Sequence, residues 1–364
     1  MGAIVTGGAG FIGSHLCDAL LGRGHSVTAI DDLSTGSPAN LLGLLDNPRF
    51  EFIRGSVLDA DLVDHAVARH DRVFHLAAAV GVHTIVDDPL DSLRTNLDGT
   101  QIVLDAARRH DRRVLLTSTS EVYGKNPADR LDENADRVLG SAMKARWSYA
   151  AAKGIDELIA RTYWQEHGLR AVVVRLFNTV GPRQTGRYGM VVPRLVGQAL
   201  RDVPLTVYGD GSQTRCFCHV DDIVPALVTL IDTPAAYGLA VNLGHPSEIS
   251  IRDLAEVVLR LTGSRSQVQL VPYEQAYGSG YEDMLRRVPD IGRARDLIDF
   301  APEHDLDRIV KDVAGYEPAR EQLDALRWRP EGVAATAATN GHPATNGRPA
   351  RNGHAPARPS VVRR

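Results

Sequence analysis

A glycine-rich turn near the start of the chain constrains the fold more than any other feature. Residues 3–30 run from an apolar strand (AIV) through TGGAGFIGSHL to a second apolar strand (HSVTAI), with Gly7, Gly10 and Gly13 spaced three apart. In a βαβ unit the first glycine permits a tight turn, the second lets the backbone approach a pyrophosphate, and the third allows close helix packing. The pattern therefore predicts a dinucleotide-binding turn at a helix N-terminus, where the helix dipole favours phosphate.

An acidic residue follows at the end of the second strand. Asp31 lies about 18 residues beyond Gly13, where a carboxylate accepts hydrogen bonds from an adenosine ribose diol and repels a 2′-phosphate. This position favours NAD over NADP as the cofactor. A βαβ unit that binds no nucleotide is the alternative interpretation.

Apolar strands and helical stretches continue to alternate beyond this unit. Strand patterns occur at DRVFHLAAA (71–79) and RVLLTSTS (113–120), with a helical pattern from about Leu90 to Arg109 between them. The alternation predicts an α/β fold of Rossmann type, with a doubly wound parallel sheet. We expect this domain over residues 1–175 and a smaller, mixed α/β domain, interleaved with the first, over residues 176–318.

Polar residues stand where one central strand ends. LLTSTSEVYG places Thr119, Ser120 and Glu121 at the sheet edge where open α/β folds bind ligands. Farther along, RWSYAAAKGIDELIARTYWQEHG has a helical period that puts Tyr149 and Lys153 on one face. Because a nearby ammonium favours an ionised phenol, the pair predicts a tyrosine base.

Together these motifs resemble the extended short-chain dehydrogenase/reductase family, in particular its nucleotide-sugar epimerases, dehydratases and decarboxylases. The resemblance covers residues 3–316 and rests on TGGAGFIG, HLAA, TSEVYG, YAAAK, RLFNTVGPR and PLTVYGDGSQTR. It implies that Tyr149 is the base, that Lys153 lowers its pKa and holds the nicotinamide ribose, and that Thr119 or Ser120 hydrogen-bonds the sugar O4. NAD would oxidise C4, and the common product is a 4-keto sugar.

The resemblance also assigns residues to the cofactor. Besides Tyr149 and Lys153, the residues expected to bind NAD are Gly7, Gly10, Phe11, Ile12, Gly13, Asp31, Asp32, Val57, Leu76, Ala77 and Ala78. A usual Gly-Asp that contacts adenine is replaced here by Gly55-Ser56, which removes that carboxylate.

Thr119, Ser120 and Glu121, at the end of the LLTSTSEVYG strand, indicate which branch of the family the chain resembles. Dehydratases carry an Asp–Glu pair there, whereas Ser120-Glu121 resembles the UDP-glucuronate decarboxylases. KARWSYAAAK and RRVPDI resemble further decarboxylase segments, which makes Arg146 a substrate-binding residue and Arg287 the candidate catalytic arginine. Oxidation at C4 turns the C6 carboxylate into a β-keto acid, and a guanidinium can stabilise the enolate left by carbon dioxide.

Alternatives to this assignment remain open. A UDP-sugar 4-epimerase could contain the same segments, and a non-catalytic NAD-binding regulator could share the scaffold. Arg287 could instead pair with Asp290 or Glu282 at the surface. The loop VGVHTIVDDP (80–89) fits neither the decarboxylase nor the galactose-epimerase pattern.

The second half is expected to bind the nucleotide sugar, and the expected sugar nucleotide is UDP-glucuronate. By resemblance Asn178 and Arg215 bind the diphosphate, Tyr208 lies beside the base, and Val192 packs around the nucleotide. Two further arginines, Arg183 and Arg194, are expected to be loop and helix-surface charges. Two helices, ISIRDLAEVVLRLTG and PEHDLDRIVKDVAGY, complete this domain.

Composition excludes several other classes. The chain has no apolar run long enough for a membrane span and only three cysteines, which favours a reducing cytoplasm. Cys216 and Cys218 lack a second pair of ligands, so no metal is expected. The segment 331–364 is a disordered, basic tail by composition, and its dispersed arginines are too weak a pattern for nucleic acid. The apolar helices near residues 90–109 and 150–166 favour a homodimer.

Overall fold

Strand pairing defines the architecture of the computed structural model, which describes residues 1–79, 89–186, 189–277, 282 and 284–325. Within these residues one sheet has seven strands in the order β3–β2–β1–β4–β5–β6–β11, and each neighbouring pair is parallel. The strands are β1 (Gly2–Thr6), β2 (Ser26–Asp31), β3 (Phe50–Arg54), β4 (Arg72–His75), β5 (Arg113–Thr119), β6 (Ala171–Leu176) and β11 (Ala240–Leu243). The predicted doubly wound parallel sheet is confirmed.

Helices cover both faces of this sheet, which is why its central strands are largely buried and apolar. The described helices are α1 (Phe11–Gly22), α2 (Ala60–Ala68), α3 (Pro89–Arg109), α4 (Ser148–His167), α5 (Val191–Leu200), α6 (Val220–Leu230), α7 (Ile251–Thr262), α8 (Tyr273–Tyr277), α9 (Gly292–Ile298) and α10 (Leu306–Ala325). One face buries apolar side chains of α1, α6 and α9, and the other those of α2, α3 and α4. None of the described helices is both long and apolar enough to span a membrane.

The second half adds a smaller mixed layer. Its strands form three pairs, β7 (Thr179–Val180) with β10 (Cys218–His219), β8 (Leu205–Tyr208) with β13 (Val268–Val271), and β9 (Thr214–Cys216) with β12 (Glu248–Ser250). Helices α5, α7 and α10 share a separate apolar core. Because β11 joins the large sheet from beyond residue 176, the two predicted domains interleave; their boundary remains a prediction, and the predicted tail lies outside the described residues.

A buried ion pair fixes helix α4 against the sheet. Arg175 of β6 donates to Glu157 of α4 through Nε (2.9 Å) and Nη2 (2.7 Å), and Ser118 Oγ donates to the same carboxylate at 2.5 Å. Arg175 Nη1 also donates to the Tyr123 hydroxyl at 2.9 Å. These contacts join strands β5 and β6 to α4 directly below the sheet edge that carries Thr119.

Removing this arginine should destabilise the fold strongly. Arg175→Met leaves Glu157 buried without its cationic partner, so we expect the free energy of unfolding to fall by about 3–5 kcal/mol in urea titrations. Arg69→Met removes an arginine whose ion pair with Glu51 is solvent-exposed, and this control should cost less than about 1 kcal/mol. Equal losses in the two variants would contradict the prediction.

Candidate active site

The carboxyl edge of the sheet opens into a cavity of about 1240 Å³. Its wall contains every residue that the sequence predicted to bind cofactor or substrate or to act in catalysis, with the exception of Lys153. Parallel strands end at the same edge, and that common edge brings residues from distant parts of the chain into one cleft.

The glycine turn has the shape of a pyrophosphate cradle. Gly7 has a φ of +70°, and its carbonyl oxygen accepts the Gly10 amide at 3.1 Å. A Cβ at Gly13 would lie 2.1 Å from the Gly7 oxygen, so no side chain fits there. Helix α1 begins at Phe11, directly above the turn. The close backbone packing and the helix N-terminus fit a dinucleotide at this place.

Alanine at Gly13 should therefore impair cofactor binding. Because overpacking costs roughly 1–3 kcal/mol, Gly13→Ala is expected to weaken NAD binding by about 10- to 100-fold, measured by isothermal titration. Gly22→Ala in the same helix is the matched control, since an added Cβ there meets nothing within 4 Å. Unchanged NAD affinity in a folded Gly13→Ala protein would refute this assignment of the turn.

Asp31 closes the turn at the end of β2. Its carboxylate accepts the Ala9 amide at 3.0 Å and the Leu33 amide at 2.8 Å. Burial raises the pKa of Asp31 despite these hydrogen bonds. The side chain thus holds the turn in place and also lines the cavity, where a ribose diol could donate to it. Ser56, in place of the usual aspartate, accepts the Leu58 amide with its own hydroxyl.

The end of β5 places three polar side chains in the cavity. Thr119 Oγ1 accepts the Glu121 amide at 3.2 Å and caps a short 3₁₀ turn over Ser120–Tyr123. Ser120 is buried. The capping geometry explains why the strand ends at Thr119 and why the Glu121 side chain turns toward the cavity.

Two arginines hold Glu121. Arg146 Nη1 donates to Glu121 Oε2 at 2.7 Å, and Arg287 Nη1 lies 3.7 Å from Glu121 Oε1. Burial alone would raise the pKa of Glu121, but the charges of Arg146 and Arg287 outweigh it and hold the pKa below its usual range. Glu121 is therefore an ionised carboxylate that balances two guanidinium groups at the sheet edge.

Arg287 lies inside the cleft. It is only 7% exposed, and its Nη2 donates to Asn178 Oδ1 at 2.9 Å. Glu282, one of the surface partners considered from the sequence, accepts instead from Lys144 at 2.5 Å and from Trp147 at 3.2 Å. The contacts of Arg287 with Glu121 and Asn178 therefore place its guanidinium beside the strand end.

The tyrosine and the lysine occupy the first two turns of α4, but their electrostatics differ from the expectation. Lys153 is buried and its Nζ donates to Asp156 Oδ2 at 3.1 Å, which balances its charge. Burial and the negative charges of Glu121 and Asp156 raise the pKa of Tyr149. The protein surroundings alone therefore do not produce the lowered pKa that the sequence suggested for Tyr149.

The substrate half brings its predicted residues to the same cavity. Asn178 Nδ2 donates to the Cys216 carbonyl at 2.7 Å, so this amide connects β9 with Arg287. Arg215 is buried, and its Nη1 donates to the Thr214 carbonyl. Their roles toward a diphosphate remain predictions, as do those of the buried Val192 and of Tyr208.

The expectation for Arg194 was wrong. Instead of a helix-surface charge, it lines the cavity from the first turn of α5, with its guanidinium 4.0 Å from the centre of the Tyr208 ring. Arg183 also lines the cavity while pairing with Asp18 at 2.7 Å. The helical period of VVPRLVGQAL could not reveal this, because the N-terminus of α5 itself faces the cleft.

The loop at 80–89, whose sequence fits neither family pattern, lies outside the described residues except for residue 89.

One cluster among the described residues could hold a metal ion by its donor atoms, namely His219, Asp221 and His304. However, His219 Nδ1 accepts the Asp221 amide at 3.0 Å as the cap of α6, and its Nε2 lies 3.3 Å from Asp312 Oδ2. His304 Nδ1 contacts Asp222 Oδ1 at 2.7 Å. Because both ring nitrogens of His219 face groups of the protein, we interpret the cluster as a helix cap.

The glycine cradle, the acid at β2 and the tyrosine and lysine of α4 define a dinucleotide-dependent α/β enzyme. The family model described as the NAD dependent epimerase/dehydratase family matches residues 3–244. The chain belongs to this family, whose cofactor is NAD.

Several relatives carry more specific names. A UDP-N-acetyl-alpha-D-glucosaminuronate decarboxylase of Bacillus cytotoxicus is 39% identical over 310 residues, which are 85% of this chain and 95% of the relative. UDP-glucuronic acid decarboxylase 1 of Arabidopsis thaliana is 37% identical over 313 residues, which are 85% of this chain and 69% of the relative. A solved structure of UDP-glucuronic acid 4-epimerase from Bacillus cereus, in complex with UDP-glucuronic acid and NAD, is 31% identical with a TM-score of 0.78, covering 87% of this chain and 98% of that one.

Proposed function

We propose that this protein is an NAD-dependent UDP-glucuronate decarboxylase, a lyase that gives UDP-4-keto-pentose, UDP-xylose or both. The observation that supports this proposal most directly is the cluster of Glu121, Arg146 and Arg287 beside Tyr149 at the end of β5. The curated relatives named above, which are decarboxylases of UDP-linked uronates, support the same reaction.

The first step oxidises the sugar at C4. NAD, when bound in the glycine cradle, accepts the hydride from C4. Tyr149 takes the proton of the C4 hydroxyl, and Thr119 and Ser120 hold that oxygen in place. Lys153, whose charge is balanced by Asp156 in the same helix, would hold the nicotinamide ribose beside Tyr149.

The second step breaks the C5–C6 bond. The 4-keto sugar is a β-keto acid, so carbon dioxide leaves and the electron pair of the broken bond moves into an enolate spanning C5, C4 and O4. Arg287 stabilises this enolate with its positive charge, and a proton added at C5 completes the 4-keto pentose. Glu121 stays ionised and holds the guanidinium groups of Arg146 and Arg287 in position.

A 4-epimerase acting on UDP-glucose or UDP-glucuronate is the second candidate. It is favoured by the similarity to the Bacillus cereus epimerase, which shares the fold over most of both chains. An epimerase would form the same 4-keto sugar and return the hydride to the opposite face without losing carbon.

Product analysis separates these reactions. The purified protein is incubated with NAD and either UDP-glucuronate or UDP-N-acetylglucosaminuronate, and products are followed by mass spectrometry and proton NMR. We expect a mass lower by one carbon dioxide and pentose signals with UDP-glucuronate. Unchanged mass with galacturonate signals would establish the epimerase, and turnover of the N-acetylated substrate alone would change the substrate assignment.

We also propose a homodimer in the cytoplasm. Helices α3 and α4 pack side by side and leave Leu90 (66%), Ile155 (45%) and Leu158 (61%) exposed. Burying these side chains against the same helices of a second copy would remove them from water. Light scattering after size exclusion should give twice the chain mass, and Leu158→Glu should give monomer. The three cysteines are free and buried, which suits a reducing compartment.

A further inference from the structure

Arg194 carries donors that the described protein leaves unused. Its Nε and Nη1 are shielded from solvent and have no hydrogen-bond partner among the described residues. The guanidinium lies over the Tyr208 ring, with its Cζ 4.0 Å from the ring centre. Donors that are shielded from solvent and lack an acceptor are costly unless a ligand supplies one.

Three other arginines of the cavity have a carboxylate partner. Arg146 and Arg287 face the carboxylate of Glu121, and Arg183 faces Asp18. Within the described part of the chain, Arg194 has no such carboxylate partner. The charge of Arg194 is therefore available for an anionic group that enters the cavity from outside.

The location selects which anion this is. A dinucleotide pyrophosphate belongs at the glycine turn that precedes α1. A uronate carboxylate belongs at the strand end, beside Arg146 and Arg287. Arg194 instead lies on the second-half wall with Tyr208, Val192 and Arg215, where the nucleotide of the substrate is expected.

From these contacts we propose that Arg194 binds the diphosphate of the nucleotide-sugar substrate. The inference rests on the proposed function, because it takes the substrate to be a nucleoside diphosphate sugar. Nε and Nη1 do not lie on one edge of the guanidinium, so they need two separate acceptors, and a diphosphate offers oxygens on two phosphorus atoms. The Tyr208 ring holds the guanidinium ready for them.

Nucleotide binding in the presence of NAD tests the proposal directly. Wild type, Arg194→Gln and the control Arg201→Gln are titrated calorimetrically with UDP, UMP and uridine. Arg201 is exposed at the C-terminal end of the same helix. We expect Arg194→Gln to weaken the affinity for UDP by roughly 10- to 100-fold, as for loss of charge-assisted hydrogen bonds. The affinity for uridine should stay within about twofold of wild type. Arg201→Gln should bind all three ligands like wild type.

A stability measurement separates binding from a structural role. Because the arginine is unsatisfied without ligand, Arg194→Gln should melt at the same temperature as the wild type or higher in the absence of nucleotide. A lower melting temperature, or equal loss of uridine and UDP affinity, would overturn the proposal. Unchanged UDP affinity would overturn it as well.

Binding to the wild-type protein tests the proposed function separately from the role of Arg194. If wild type binds another nucleoside diphosphate better than UDP, the uridine assignment falls, and the same comparison of variant with wild type is made with that nucleotide. If wild type binds no nucleoside diphosphate at all, both the substrate class and the role of Arg194 are wrong.

Discussion

Tyr149→Phe is expected to lower kcat by about a thousandfold, the typical contribution of a positioned general base. Without the tyrosine hydroxyl, the proton of the sugar's C4 hydroxyl has no acceptor. The phenyl ring still fills its place at the start of α4. Turnover is measured as product formed from UDP-glucuronate with saturating NAD.

The control for this variant lies in the same helix. Tyr163 donates its hydroxyl to Asp105 at 2.7 Å, and it is not among the residues that line the cavity, so Tyr163→Phe should retain most of the activity. A kcat within tenfold of wild type would remove Tyr149 from the role of base.

Arg287→Met should separate oxidation from decarboxylation. In the proposed mechanism the guanidinium stabilises the enolate after carbon dioxide leaves, so we expect carbon dioxide release to fall by about 10²- to 10³-fold, the usual cost of losing one such donor. Oxidation at C4 depends on Tyr149 and should fall much less. A 4-keto uronate and reduced cofactor should therefore accumulate, visible by mass spectrometry and by absorbance of NADH.

The adjacent arginine offers a matched control. Arg286 is exposed and pairs with Glu248 and Asp129, so Arg286→Met should behave like wild type. If oxidation and carbon dioxide release fell in parallel in Arg287→Met, the residue would serve substrate binding alone. Unchanged release would exclude it from the enolate step.

Local patterns predicted the parts of the site that depend on short-range geometry. The turn of Gly7, Gly10 and Gly13 follows from backbone sterics within one βαβ unit, and Tyr149 and Lys153 share a face because a helix repeats every 3.6 residues. The parallel sheet follows from alternation of strands and helices, since parallel strands require crossovers. These relations hold whatever the rest of the chain does.

Long-range packing decided the charges of the site. Arg287 meets Asn178 across more than a hundred residues, and no periodicity distinguishes that contact from a surface pair with a neighbouring acid. The pKa of Tyr149 is raised by burial and by the negative charges of Glu121 and Asp156. Sequence spacing shows the lysine only.

By itself the sequence determined the fold class, the glycine turn and the shared helix face of Tyr149 and Lys153, because each depends on interactions between residues close in the chain. Only the tertiary structure decided which arginines face the cleft and which acids neutralise them. Arg194 shows the difference, since a helical pattern gives a residue's face but not what that face packs against. Burial and charge compensation are properties of the assembled cavity, where desolvation makes each unpaired donor costly.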